Sequence, residues 1–304
     1  MASVTLAEAS KLGLDDLAAG VIENIITVNP IYQVLPFELI DGNALTYNRE
    51  NVLGDVQVLG IDGTITAKAA ATYTKVSTGL TTIIGDAEVN GLIVSQGVGG
   101  NAGNDVVAQQ IASKAKSVGR EWQRQFILGD SVNPNEFDGL AKLMPAGQKV
   151  NASSTALSFT MLDEVLAAVT AKNGVVDFLM MPQKAINKVN ALLRALGGTT
   201  AEYVEMGGQR VLFYNGVPIF RNDWIPTNLG VGTDETKIFA GCFDDGSRNM
   251  GIAGLTSVNN AGIHVEAVGP SETKDNHIWR VKFYNSFAVF SNLAVAEIEN
   301  VKYA

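Results

Sequence analysis

The sequence is poor in the residues that most often carry enzyme chemistry or covalent cross-links. It has one cysteine, Cys242, and two histidines, His264 and His277, in a chain of 304 residues. A single cysteine excludes an internal disulfide framework, and a chain that folds in a reducing cytoplasm needs none. Two histidines, both late in the chain, leave little material for histidine-based catalysis or metal binding.

Long apolar runs and an excess of positive charge are also missing. No run of 18 apolar residues is present, which excludes a transmembrane helix. The segment Met1–Gly20 has Lys11 as its only base and no apolar core, so it is not a signal peptide. The net charge of −9 argues against a protein whose whole surface binds nucleic acid, although one local basic face is still allowed. We predict a protein made in the cytoplasm, with no membrane contact.

The sequence contains one motif typical of an enzyme, Gly97-x-Gly99-x-x-Ala102, which follows a predicted strand and precedes a helix. This is the glycine pattern of dinucleotide-binding folds. Such folds return to a second parallel strand with an acidic ribose ligand about 20 residues on. Glu121 has that distance but lies in the middle of a predicted helix. A loop before the helix is favoured, and a dinucleotide-dependent enzyme is kept as an alternative.

Two further candidates for chemistry have simpler structural explanations. Cys242 lies in an apolar strand and is predicted to be a buried small side chain. An oxygen-rich loop follows the longest helix, but its spacing misses the calcium-binding pattern and its residues are ordinary turn formers: Asp130, Asn133, Asn135 and Asp138. We therefore predict no catalytic residue, no cofactor and no bound metal.

The longest regular pattern predicts one amphipathic helix over 104–128. Its apolar residues recur every three or four positions and therefore share one face: Val107, Ile111, Ala115, Val118, Trp122 and Phe126. Asn104 is the predicted N-cap, and Gly129 occupies the position of a C-terminal capping glycine. The helix is about twice the average length.

Three basic residues, Lys116, Arg120 and Arg124, follow one another at every fourth position of this helix. Like charges at this spacing repel by a few tenths of a kcal/mol per pair unless a partner neutralises them. They form either a solvated face paired with acidic neighbours or a local basic strip that faces a polyanion.

Two segments have little to pack against within one chain. Ile31–Phe37 is apolar, extended and interrupted by proline, and it is predicted to lie across another surface. Residues 52–84 predict a threonine-rich β-ribbon, which is marginal in isolation. The ribbon either lies on its own domain or is completed by a second copy. The residues predicted to contact another subunit are Leu35, Phe37, Val56, Val58, Thr72, Tyr73, Thr74 and Val76.

From about residue 150 the pattern changes to alternating helix and strand. Helices are predicted over 161–172 and 183–196, and Asn215-Gly216 predicts a tight hairpin between two strands. These elements predict a compact α/β-type domain of ordinary size. Strands return from Ile263 to the end of the chain.

Taken in this order, the chain resembles tailed-bacteriophage major capsid proteins of the Hong Kong 97 fold. The resemblance covers nearly all of the chain and depends on the order of its motifs: Leu35-Pro36-Phe37 and Leu45-Thr46-Tyr47-Asn48-Arg49 in an N-terminal arm, the ribbon 52–84, the helix 104–128, Phe137-Asp138-Gly139-Leu140, Phe178–Pro182, Gly216–Ile219, Asp223–Pro226, Ile238–Phe243 and Arg280–Tyr303.

The resemblance implies an α+β capsid fold with five parts. They are an N-terminal arm (1–40), a peripheral domain (41–51 and 85–149) with its spine helix, an extended loop (52–84), an axial domain (150–262) and closing strands shared by both domains (263–304). It implies self-assembly into pentamers and hexamers of an icosahedral virion capsid around double-stranded DNA, assembled in the bacterial host cytoplasm. Scaffold, portal and decoration proteins are implied partners, and the three basic residues of the spine helix would face DNA.

The sequence departs from the family's founding member, which cross-links a loop lysine to a neighbour's asparagine. Lys68 and Lys75 lie in the loop, but no matching asparagine or assisting glutamate is found, so cross-linking is not predicted. Encapsulins, bacterial shell proteins of the same fold that enclose a cargo enzyme instead of DNA, are the nearest alternative.

Overall fold

The computed structural model describes residues 31–95, 106–171, 174–195, 202–206, 209–230 and 234–303. These residues form two β-sheets, a separate two-stranded ribbon and six α-helices. The helices are α1 (Ile31–Val34), α2 (Gly91–Ser95), α3 (Val106–Leu128), α4 (Leu140–Leu143), α5 (Phe159–Thr170) and α6 (Gln183–Ala195). The strands are β1 (Phe37–Ile40), β2 (Ala44–Val52), β3 (Thr72–Gly79), β4 (Thr81–Asn90), β5 (Lys149–Asn151), β6 (Phe178–Met181), β7 (Glu202–Met206), β8 (Gln209–Tyr214), β9 (Val217–Arg221), β10 (Glu235–Gly241), β11 (Ile252–Ser257), β12 (Ile263–Pro270), β13 (Asn276–Val289) and β14 (Val295–Lys302).

Helix α3 confirms the predicted spine helix, and its predicted N-cap Asn104 lies outside the described residues. Its apolar face is buried most completely toward the C-terminal half, where Trp122 and Phe126 are fully enclosed. Gly129 ends the helix for a reason other than the predicted left-handed cap. A Cβ there would lie 2.3 Å from the Phe137 carbonyl oxygen, so only glycine lets the returning chain approach so closely.

A five-stranded sheet packs against the spine helix and forms the peripheral half of the molecule. Its strand order is β1-β11-β13-β12, and β4 pairs with the long strand β13 on the edge opposite β12. The aromatic face of β13 supplies Phe283 and Phe287 to the core, and Phe287 meets Phe126 of the helix edge-on at 4.8 Å.

A seven-stranded sheet of order β5-β14-β10-β6-β9-β8-β7 forms the axial half, with α5 and α6 packed on it. Ser158 caps α5 by accepting the backbone N–H of Met161. Asn215 and Gly216 have φ angles of 52° and 80°, which confirms the predicted tight hairpin between β8 and β9. The predicted axial range 150–262 needs one correction, because β11 belongs to the five-stranded sheet. The strands of 263–304 are divided between the two sheets, with β12 and β13 in the five-stranded sheet and β14 in the seven-stranded one.

The structure corrects the prediction that Ile31–Phe37 lies across another surface. The segment forms a helical turn and then β1, which pairs in parallel with β11 of its own chain. Ile31 and Leu35 are buried in the same core as Trp122, and the Phe37 ring lies 5.6 Å from the Trp122 ring. Leu35 is 4 % exposed and therefore has almost no surface left for a neighbour. The rest of the predicted arm, 1–30, lies outside the described residues.

The two-stranded ribbon is confirmed, but its bounds differ from 52–84. It begins with β2 and ends with β3, so it covers 44–79. The last residues of the predicted loop belong to β4, which pairs with β13 inside the five-stranded sheet. Strand β4 ends at Asn90, and α2 begins at the next residue, so a helix and not a strand precedes the glycine motif.

Candidate assembly surface

The root of the ribbon is held on the protomer by one face of β2. Leu45, Tyr47 and Arg49 alternate with exposed neighbours, so their side chains point to the same side. Leu45 and Tyr47 pack on an apolar cluster that includes Phe290, and the Tyr47 ring meets Phe290 edge-on at 5.2 Å. This partial burial raises the pKa of Tyr47, an effect that the nearby Arg49 partly offsets.

Hydrogen bonds complete this attachment. The Tyr47 hydroxyl donates to the Val289 carbonyl at 2.8 Å. The Arg49 Nε donates to the Phe290 carbonyl at 3.0 Å, and its Nη2 donates to the Val289 carbonyl at 2.5 Å. The root of the ribbon is thus tied to the end of β13 by charge-assisted bonds.

The tip of the ribbon, residues 53–71, has no strand pairing of its own and is shaped by two polar side chains. The Gln57 Oε1 accepts the backbone N–H groups of Thr66 and Ala67 at 2.8 and 3.2 Å, and the Thr66 hydroxyl at 2.9 Å. The Asp55 Oδ1 accepts the backbone N–H of Ala69 at 2.5 Å. These hydrogen bonds connect residues 55–57 with residues 66–69, where no strand pairing is present.

The tip presents apolar side chains to solvent. Val56 is 94 % exposed, Val58 is 100 % exposed and Ile61 is 99 % exposed. Gln57 points toward residues 64–67, and its two valine neighbours therefore point away from the ribbon. Three almost fully exposed apolar side chains within six residues make the tip a candidate interaction surface.

The predicted contact residues on β3 differ in exposure along the strand. Thr72, Tyr73 and Thr74 are exposed, and Tyr73 is 65 % exposed, whereas Val76 is half-buried near the root. Their contact with a second subunit stays a prediction, and the exposed residues are available for it.

The arginines of the predicted basic strip on α3 have partners within the chain. Arg124 binds the carboxylates of Glu121 and Glu136 at 2.6 and 2.7 Å, which raises the pKa of its guanidinium. The Arg120 guanidinium lies 5.7 Å from the centre of the Trp224 ring. Lys116 is exposed. The arrangement matches the alternative of a face paired with neighbours better than a strip of unpaired charge.

The oxygen-rich loop after α3 has a lysine ammonium at its centre. Lys142 Nζ lies 2.5 Å from Asp130 Oδ1 and 2.8 Å from Asp138 Oδ1. Asn133 accepts the backbone N–H of Asn135 in an ordinary Asx turn. An internal cation therefore balances the acidic groups of this loop. Among the described residues, no cluster of histidine, cysteine and acidic side chains fits a metal ion.

Cys242 is 2 % exposed, as predicted. Burial and the nearby Asp177 carboxylate raise the pKa of its thiol to about 11, so it is protonated at neutral pH.

The glycine motif Gly97–Ala102 lies outside the described residues, but its surroundings do not match a dinucleotide-binding fold. The preceding strand β4 is an edge strand that pairs only antiparallel, with β13. A dinucleotide site needs a parallel strand–helix–strand unit, and the spine helix is followed by α4 instead.

The residues that attach and shape the ribbon were not predicted from the sequence. Tyr47 and Arg49 bond to residues about 240 positions away, a relationship that no local pattern contains. For Asp55 and Gln57 the sequence offers a weak signal, because polar and apolar residues alternate over 55–58.

Comparison with known structures finds the same fold throughout the chain. The encapsulin in the holo-SrpI encapsulin complex from Synechococcus elongatus PCC 7942 is 19 % identical, with a TM-score of 0.76 over 100 % of this chain and 98 % of that one. The capsid of a native GTA particle is 14 % identical, with a TM-score of 0.73 over 99 % of each chain. The capsid of cyanophage A-1(L) is 13 % identical, with a TM-score of 0.71 over 98 % of this chain and 99 % of that one. No curated protein sequence matches.

These similarities define the class of the fold: the chain has the Hong Kong 97 fold. The family comparison is more specific. Residues 102–304 match the model of the SrpI-like type 2A encapsulin shell proteins, and the chain belongs to that family. The predicted capsid fold is thus confirmed, whereas the finer assignment to a bacteriophage capsid has less support than the encapsulin alternative. No helix in the described ranges is long and apolar enough to span a membrane.

Proposed function

We propose that this chain is the structural subunit of an encapsulin-type compartment, a closed icosahedral protein shell that encloses protein cargo. The observation that carries the proposal is the family match over two thirds of the chain, in a protomer that exposes an apolar ribbon tip. Copies of the chain would form pentamers, with hexamers in a larger shell, and the role would be structural rather than catalytic.

The ribbon supports self-assembly for an energetic reason. A fully exposed valine contributes nothing to the protomer, but its burial on a neighbour would contribute about 1.5 kcal/mol. A closed shell repeats the contact in every subunit, so several such side chains per tip are enough to favour assembly over free protomers. In this proposal, the partner that the ribbon tip contacts is a second copy of the chain.

A virion capsid around double-stranded DNA is the second candidate, since capsids of a cyanophage and a GTA particle share the fold. Scaffold, portal and decoration proteins belong to this candidate only. The internal pairing of Arg124 and the stacking of Arg120 weaken the predicted DNA-facing strip, because these charges already have partners.

Particle mass and contents test the proposal together. We expect the purified protein to form particles of megadalton mass that protect no DNA from nuclease and that carry a co-purifying protein when made in the native host. Particles that protect genome-length DNA would favour the virion, and protein that stays at tens of kilodaltons would contradict any shell.

The Val58→Ser variant tests the role of the tip. Loss of about 1.5 kcal/mol per contact should raise the protein concentration needed for assembly about tenfold, with unchanged unfolding of the protomer. Val132→Ser is the control, because Val132 is also an exposed valine, 84 % exposed, on the body of the protomer. Equal assembly of the Val58→Ser variant and the wild type would show that the tip is not a contact surface.

A further inference from the structure

The chain connections alone do not fix the angle at which the ribbon leaves the protomer. Its first strand follows a turn with Gly42 at a φ of 115°, and its second strand is separated from β4 by the single residue Leu80. A two-stranded ribbon has little stiffness of its own. Its orientation must therefore come from contacts at the root.

Those contacts include hydrogen bonds from the first strand of the ribbon. Tyr47 and Arg49 of β2 bind the carbonyls of Val289 and Phe290, as described above. Beside these bonds, a cleft of about 460 Å³ lies between the root of the ribbon and the body of the protomer. The cleft is lined by Tyr47 and Arg49 themselves, by residues 76–80 and by body residues that include Ser131 and Pro134. The ribbon therefore has room to move once the root contacts are lost.

The Arg49 guanidinium is suited to fixing an angle. Its donors lie in one rigid plane, and they reach two successive carbonyls at the end of β13. A single hydrogen bond would let the ribbon rotate about it, whereas two non-parallel hydrogen bonds from one planar group oppose that rotation. The Nη2 also donates to the Tyr47 hydroxyl at 3.4 Å, so the two side chains act as one unit.

A small change of angle at the root becomes a large displacement at the tip. Val58 lies nine positions beyond Arg49 in the chain. At about 3.3 Å per extended residue, it lies up to about 30 Å from the root, and a rotation of about 10° moves it by up to about 5 Å. That displacement equals the spacing between neighbouring strands, about 4.8 Å, and would shift the tip by one strand on its target.

We propose that Arg49, supported by Tyr47, is the positioning residue that sets the ribbon angle and thereby the geometry with which neighbouring subunits join. The inference rests on the proposed shell function and extends it. It states that shells of uniform diameter depend on the attachment of the ribbon root within each protomer. Arg49 touches no neighbour in this account and acts only through the ribbon.

The Arg49→Gln variant tests the proposal, with Lys75→Gln as a matched control. Lys75 lies exposed on β3, so the control removes one positive charge from the same ribbon and leaves the root unchanged. Electron microscopy should show about tenfold fewer closed particles of wild-type diameter for Arg49→Gln, replaced by irregular or unassembled protein. Lys75→Gln should match the wild type.

A distance measurement separates this proposal from the shell function. Spin labels on cysteines at positions 58 and 132, in labelled chains diluted among unlabelled ones, report the ribbon angle within one protomer. The buried Cys242 does not compete for the label. We expect one narrow distance in the wild-type background and a broad or shifted one with Arg49→Gln, whereas particle mass alone decides whether a shell forms.

Unchanged distances together with uniform shells of Arg49→Gln would overturn the proposal. If that variant does not fold, Arg49→Lys decides by the same criteria, because it keeps the charge and the aliphatic stem but loses the planar pair of donors.

Discussion

Truncation of Leu35 to alanine decides whether the segment before β1 belongs to the protomer or to an interface. Leu35 is 4 % exposed and lies in the core that contains Ile31 and Trp122. Its backbone N–H also closes a helical turn on the Ile31 carbonyl at 2.8 Å. The substitution removes three carbon atoms from a closely packed site and leaves a cavity.

The surroundings of Leu35 indicate a cost near the middle of the usual range. Leucine-to-alanine changes in cores cost about 2–5 kcal/mol, and the cost is greatest where neighbours cannot relax into the cavity. Here the neighbours include the aromatic rings of Tyr32 and Trp122, which meet edge-on at 5.2 Å and hold each other in place. We expect a loss of about 3–4 kcal/mol.

The assay is urea unfolding of protomers kept below the concentration at which they assemble, followed by tryptophan fluorescence. With a slope of about 3 kcal/mol per molar urea, the midpoint should fall by about 1 M. Leu39→Ala is the matched control, because Leu39 lies four residues further on, in β1, and is 50 % exposed. It should shift the midpoint by a few tenths molar at most.

The reasoning would be refuted by a Leu35→Ala protomer that unfolds like the wild type but fails to assemble. That result would return Leu35 to the inter-subunit role predicted from the sequence, and it would mean that the contacts with Ile31 and Trp122 contribute little.

Two further predictions concern the spine helix and the loop after it. Gly129→Ala should destabilise the protomer by about 2 kcal/mol or more, because the new Cβ would lie 2.3 Å from a backbone oxygen. Gly119→Ala has nothing within 4 Å of the new Cβ and should stabilise the helix by up to about 1 kcal/mol. Equal thermal midpoints of the two variants would contradict this prediction. The pairing of Asp138 with Lys142 should make the loop pH-dependent. Partial burial raises the pKa of Asp138, but hydrogen bonds from Lys142 and from the loop backbone outweigh it and hold the pKa below its ordinary value. The stabilisation is therefore present above about pH 4 and is lost as the pH falls further. Below that pH, the loop amides should exchange hydrogen faster after correction for intrinsic rates. A constant protection factor down to about pH 2 would be evidence against the pairing.

Much of the fold could be predicted from the sequence, because its strongest patterns are local. The 3.6-residue repeat of α3 gives the helix its buried face, and Asn215-Gly216 takes the positive φ angles that a tight hairpin needs. The threonine-rich stretch predicts a ribbon because β-branched residues favour extended backbone. Family resemblance added the order of the parts, and the structure confirms the shell-protein fold.

Relationships between distant residues were decided only by tertiary structure. Ile31–Phe37 looks like a free arm in the sequence, since nothing local shows that its apolar side chains pack in the same core as Trp122. The basic residues of α3 look unpaired until the fold places Glu136 beside Arg124 and Trp224 beside Arg120.

The ribbon shows the same division most clearly. Local propensity predicts a ribbon over 52–84, which overlaps the observed hairpin of 44–79, because hydrogen bonds between neighbouring strands depend on nearby sequence. Its direction depends on Tyr47 and Arg49 meeting the end of β13, about 240 residues later. Contacts of that separation form only once the whole chain has folded, and no short stretch of sequence can encode them by itself.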